Sequence, residues 1–120
     1  MGRKAVDSPV VLVVDDDGEV REIVVEIFET NGFTVLEARN GFEALDILSR
    51  NRAIDLLFTD VRMPGLSGPT LAQRARELIP DIRVILTSGY MEHEDDGELP
   101  VVEKPFRMHD LMQAVHGALH

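Results

Sequence analysis

Asp15 and Asp16 close an apolar run, residues 10–14, and Asp60 closes a second, residues 54–59. Thr87 closes a third, residues 84–86, and Lys104 follows a fourth, Val101-Val102, directly before Pro105. If these runs are strands of a parallel α/β sheet, their C-terminal ends line one edge, and ligands bind in the crevice there. Three carboxylates, one hydroxyl and one ammonium then meet. Crowded carboxylates repel: at ~4 Å and an effective dielectric of ~20, each pair costs about 4 kcal/mol. A bound cation relieves that cost, and oxygen-only donors with room for water suit Mg²⁺ better than zinc. Asp60 is the candidate nucleophile, because carboxylates form acyl-phosphate intermediates. Phosphoryl transfer asks for an in-line donor and for neutralisation of the equatorial oxygens. Mg²⁺ and Lys104 would neutralise them, and Thr87 would donate a hydrogen bond to one. Singly, each residue has a structural reading: a helix cap for the Asp15–Asp16 pair, a strand-end carbonyl partner for Thr87, a surface position for Lys104. Their joint placement at consecutive strand ends favours the chemical reading.

Positioning these groups requires a regular alternation of strands and helices. Residues 1–8 are polar and read as a flexible N-terminal segment; residues 9–120 read as one domain. Val20, Ile23, Val24, Ile27 and Phe28 recur at the spacing of one apolar helix face, with Gly32 suited to the C-terminal cap. Residues 33–36 read as a short strand. Asn40 with Glu43 resembles a capping box, and Ala44, Leu45 and Leu48 follow as a helical face. Residues 54–59 are almost wholly apolar, as in a strand buried on both faces. Residues 63–68 are a loop, Pro69 fits a first helical turn, Leu71, Ala75 and Leu78 face inward, and Pro80 stops the helix. Residues 82–87 and 100–104 are strands. Residues 107–119 are the last helix, with Leu111, Met112, Val115 and Leu119 inward. The segment 89–99 is ambiguous, with at most a short helix near 91–96. Five strands alternating with five helical slots, the fourth degenerate, give a parallel sheet covered on both faces.

Composition excludes other classes. At 120 residues the chain is one domain. It has no cysteine, so neither disulfides nor thiolate metal sites are available. No apolar stretch reaches spanning length and no signal-peptide core follows the first residues, so membrane insertion is not expected and the default is a soluble, cytoplasmic protein. With 12 basic against 22 acidic residues the formal charge is −10, which disfavours direct nucleic-acid binding. The acidic run Glu92, Glu94, Asp95, Asp96 and Glu98 reads as a solvated loop. His116 and His120 have metal-compatible spacing but no third ligand, and with His93 and His109 read as solvated. Met112 reads as core and Met108 as an exposed residue available to a partner. No Gly-x-Gly-x-x-Gly follows the first strand, so a dinucleotide role fails.

The residues Val11-Leu12-Val13-Val14-Asp15-Asp16-Asp17 with Arg21, Asp60-Val61-Arg62-Met63-Pro64-Gly65, Thr87-Ser88-Gly89 and Glu103-Lys104-Pro105-Phe106 together resemble the receiver domain of two-component response regulators. The likeness runs from about residue 10 to 119. It implies a flavodoxin-like (CheY-like) three-layer α/β sandwich with a five-stranded parallel sheet of order 2-1-3-4-5, while the short stretch from Thr87 to Lys104 in this chain leaves a shortened fourth helix. It implies that Asp60 accepts a phosphoryl group from phosphohistidine on a histidine kinase or histidine phosphotransfer protein, and that a downstream protein target reads the switched state. Asp16, Asp60 and the backbone carbonyl of Arg62 would ligate Mg²⁺, with Asp15 acting largely through water. Thr87 would be the switch hydroxyl and Lys104 the phosphate-pairing amine. Asp17 matches a variable position and is assigned to capping.

Two departures from the family pattern bear on signalling. Val101 stands where an aromatic switch residue is usual, and the stretch from Thr87 to Lys104 is short. Phosphorylation is therefore expected to change residues 89–99 more than a helix-strand-helix face. The departures also keep a second reading open, a phosphorylation-independent docking module. A Mg²⁺-dependent phosphohydrolase is a third, but it would need an acid/base aspartate where Arg62 stands. Arg62 and Gly89, each two past a site residue, match positions linked to phosphoryl lifetime; Arg62 either shields the site or lies on the surface. Lys104-Pro105 is a candidate cis peptide. The chain ends one helix after Lys104, which suits either a single-domain regulator or a piece of a longer protein, monomeric or dimerised through its last helix.

Overall fold

The computed structural model describes residues 8–89, 99–104 and 106–119. In order, the elements are β1 (Val10–Val14), α1 (Gly18–Thr30), β2 (Thr34–Ala38), α2 (Gly41–Arg50), β3 (Leu56–Asp60), α3 (Gly68–Leu78), β4 (Arg83–Ser88), β5 (Val101–Glu103) and α4 (Met108–Leu119). The strands form one parallel sheet of order β2-β1-β3-β4-β5, the expected order. The ambiguous helix near 91–96, the Pro105 peptide, the acidic run and His93 and His120 lie outside the described residues.

Strand side chains alternate between faces, so the sheet splits its apolar residues into two cores. Leu12, Val14, Leu57, Val84 and Leu86 pack under α2 and α3 with Ala44, Leu48, Leu71 and Ala75. Val11, Val13, Leu56, Phe58, Ile85 and Val102 pack under α1 and α4 with Val24, Phe28, Leu111 and Val115. Covering both faces explains why β1, β3 and β4 read as continuous apolar runs. In the second core Phe28, Phe33, Phe58 and Phe106 form an edge-to-face chain, with centroids 5.0, 5.4 and 6.1 Å apart. Phe106 thereby ties the segment after Lys104 to the strand that ends in Asp60.

The caps follow from the sequence. Asp17 accepts from the backbone N–H groups of Glu19 and Val20 at 3.0 and 3.3 Å, satisfying orphan donors of α1. Asp17→Ala is expected to cost about 1 kcal/mol in a urea titration. At the other end of α1, Gly32 takes φ +89°. Its N–H donates to Glu29 and the Phe33 N–H to Phe28, at 3.1 Å each, and the two phenylalanines pack together, a complete Schellman motif. Ser67 caps α3, with Pro69 in its first turn. Asn40 caps α2, but Glu43 reaches back to the Arg39 N–H at 2.7 Å, one residue before the cap.

One residue departs from the expected core. Ile23 is 59% exposed, whereas Val20, Val24, Ile27 and Phe28 pack inward. Val25 takes the remaining inner position, so the apolar stripe of α1 is rotated away from Ile23.

Candidate functional site

The alternation that fills the second core also aims the polar groups. Val13 leads to Asp15, Phe58 to Asp60, Ile85 to Thr87 and Val102 to Lys104, each two residues on and so on the same face. Asp60 and Thr87 are register partners across β3 and β4, and Thr87 pairs with Val102. Asp15, Asp60 and Thr87 are all buried. Lys104 Nζ donates to Asp15 and to Asp60, at 3.2 Å each. Asp15, Asp16 and Asp60 each offer a carboxylate oxygen, and these lie within 4.8 Å of one another. Among the described residues, this is the cluster that could hold a metal. Its hard oxygen donors, with Asp16 exposed, fit a cation that keeps part of its water shell, as Mg²⁺ does.

The electrostatics are those of a site with surplus negative charge. Burial pushes the Asp60 carboxyl above the usual carboxylate range; Lys104 opposes this and Asp15 adds to it. A hydrogen bond from the Arg62 backbone N–H also favours the ionised form. Burial pulls the Lys104 amine down, yet Asp60 and Asp15 outweigh it and the net shift is upward. The ammonium therefore stays charged beside a carboxylate that neither burial nor Asp15 favours. One ammonium faces two carboxylates directly, and Asp16 brings a third.

Backbone contacts fix the Asp60 end of β3. The Val61 N–H donates to the Thr87 carbonyl and the Gly68 N–H to the Val61 carbonyl, at 2.8 Å each. Gly68 presses against Asp60 so closely that a Cβ there would collide with the Asp60 carbonyl oxygen and stand 3.0 Å from Val61 Cα. The residue types alone did not mark Gly68; the contact depends on where α3 starts. The Arg62 side chain is exposed and lines a cleft of about 390 Å³ with Met63, Pro64, Ser67 and Pro69. Asp17 serves as the α1 cap. His109 and His116 are exposed, and neither belongs to this cluster. Val101 is 37% exposed and Met108 47%.

The profile of the response regulator receiver domain matches residues 11–116. The chain belongs to that family. The receiver is 38% identical over 115 residues to the sensor kinase CckA of Brucella abortus, covering 90% of this chain but 12% of that protein. It is 32% identical over 111 residues to sporulation initiation phosphotransferase F of Bacillus subtilis, covering 88% and 89% of the two chains. A response regulator receiver protein from Sinorhizobium medicae superposes with a TM-score of 0.87 at 28% identity, covering 95% and 96%. The chain is thus a receiver domain of two-component systems, a signalling module, and the phosphoacceptor role fits it. Receivers of response regulators interact with histidine kinases or phosphotransfer proteins, and they typically bind Mg²⁺ through acidic residues such as the cluster seen here. No helix among the described residues is long and apolar enough to cross a membrane.

Proposed function

We propose that Asp60 is the phosphoacceptor of a two-component phosphorelay. The observation that carries this reading is the contact of Lys104 Nζ with both Asp15 and Asp60, beside the exposed carboxylate of Asp16. A carboxylate oxygen of Asp60 attacks the phosphorus of a phosphohistidine. The P–N bond breaks, its electron pair leaves with the imidazole, and a P–O bond forms. Lys104 follows the charge from the Asp60 carboxylate onto a phosphoryl oxygen, and Thr87, the register partner of Asp60, donates its hydroxyl to another. Asp15, Asp16, Asp60 and the Arg62 carbonyl are the groups that would hold Mg²⁺, Asp15 largely through water. When bound, the ion supplies further neutralisation of the equatorial oxygens. The movement of Thr87 and Lys104 onto the phosphoryl oxygens is the conformational switch that a downstream protein target reads.

On this reading the unit spans residues 9–120, works in the cytoplasm, and turns over no external substrate beyond its own phosphorylation and dephosphorylation. The donor is a histidine kinase or a histidine phosphotransfer protein. At a net charge of −10, direct nucleic-acid contact is not part of the function. A docking role without phosphorylation is less well supported, because Asp60 and Lys104 are both present and in contact.

Incubation with acetyl phosphate and Mg²⁺, followed by intact-protein mass, tests the reading. The expected result is a single labile phosphoryl adduct that requires the metal. No adduct, with beryllofluoride leaving the site amides unshifted in nuclear magnetic resonance spectra, would return the chain to the docking role.

A further inference from the structure

Asp15 and Asp60 are held by Lys104, and the second oxygen of Asp15 accepts from the Asp17 N–H at 2.9 Å. Asp16 is different. Its carboxylate is exposed and, among the described residues, takes no hydrogen bond or ion pair. Its aim therefore comes from the backbone. Arg21 controls that backbone: its Nη1 donates to the Asp15 carbonyl oxygen at 2.8 Å, and its Nε donates to Glu37 on β2 at 3.1 Å. The side chain is only 17% exposed, so this bond is shielded, while Glu37 is half-exposed. The Asp15 carbonyl and the Asp16 N–H and Cα share one rigid peptide plane. A guanidinium that pins the carbonyl thus sets the direction from which the Asp16 side chain departs.

We propose that Arg21 is a positioning residue for the metal ligand Asp16, anchored in turn by Glu37. The inference rests on the Mg²⁺ reading of the cluster. A competing effect runs the other way, since a cation near the site repels Mg²⁺. The double variant Arg21→Met with Glu37→Gln removes one charge of each sign and separates the two. Groups that orient metal ligands typically contribute 10–100-fold to affinity. The expected result is a Mg²⁺ dissociation constant raised at least about tenfold in an amide-shift titration of the metal-free protein. The metal-free thermal midpoint should stay close to that of the parent. Arg21→Lys keeps one donor for the carbonyl and is expected to fall between the two. It also serves as the test should the double variant fold poorly. If the parent binds Mg²⁺ and the variants bind within twofold of it, the positioning role is overturned while the metal site stands. If the parent itself shows no Mg²⁺-dependent shifts, the metal reading fails first and this inference with it.

Discussion

Asp60→Asn is expected to abolish the phosphoryl adduct completely and, without Mg²⁺, to raise the thermal midpoint. The first effect follows because an amide oxygen cannot form the acyl phosphate. The second follows from the sign of the Asp60 shift. Its folded-state pKa lies above the ordinary value, chiefly because it is buried, with Asp15 adding to the shift and Lys104 opposing it. A raised acid pKa means the fold prefers the protonated form, so the stability it contributes is present at low pH and is lost as pH rises through the folded pKa. At neutral pH the ionised carboxylate is thus a net cost, which a neutral isostere removes. Asparagine keeps the volume and an acceptor for Lys104. Mg²⁺ should stabilise the parent by about 2.7 kcal/mol at a hundredfold excess over its dissociation constant, and the variant much less. Thermal unfolding of both proteins, with Mg²⁺ and with chelator, checks all of this. A variant less stable than the parent in chelator would mean that the Lys104 contact outweighs burial and the Asp15 repulsion.

Most of this site is legible in the sequence, and the reason is geometric. A strand carries its facing with a period of two, so a polar residue at a strand end inherits the face of the apolar residue two before it. Val13, Phe58, Ile85 and Val102 all belong to one core, and Asp15, Asp60, Thr87 and Lys104 follow from them. Helix-cap chemistry was as local, hence Asp17, Asn40 and Gly32. What escaped depends on neighbours distant in sequence. Ile23 fits a helical stripe but lies outside the arc that the sheet covers, and only the packing angle of α1 decides that. Glu43 bonds Arg39 and not the cap, because the chain entering α2 turns that N–H toward it. Arg21 stood out only as part of a family pattern. Its hold on Asp15 depends on Glu37, which the β1–β2 register sets opposite Val13. The expected shift of signalling into residues 89–99 falls on a stretch largely outside the described residues.

Gly68→Ala is the other substitution with a large expected effect, although Gly68 bears no chemistry. The glycine opens α3, directly after the Ser67 cap, where alanine would ordinarily raise helix propensity. Here the added Cβ would strike the backbone carbonyl of Asp60. Backbone cannot rotate aside as a flexible side chain can, so either β3 or the start of α3 must move. The Gly68–Val61 and Val61–Thr87 bonds, at 2.8 Å each, couple that movement to the register pairing Asp60 with Thr87. Overpacking of this kind costs about 3 kcal/mol, read as a lower midpoint in urea at unchanged slope. The damage should also reach the chemistry, because catalytic geometry tolerates little displacement: a shift of about 1 Å costs on the order of a hundredfold. Phosphorylation by acetyl phosphate should therefore slow by more than tenfold even where the variant is fully folded. Gly117 supplies the control, since a Cβ there meets nothing within 4 Å and the residue lies in the last turn of α4. Gly117→Ala should stabilise by about 0.5 kcal/mol and leave the phosphorylation rate unchanged. If Gly68→Ala matched Gly117→Ala in both readouts, the close approach of α3 to Asp60 would not constrain the site.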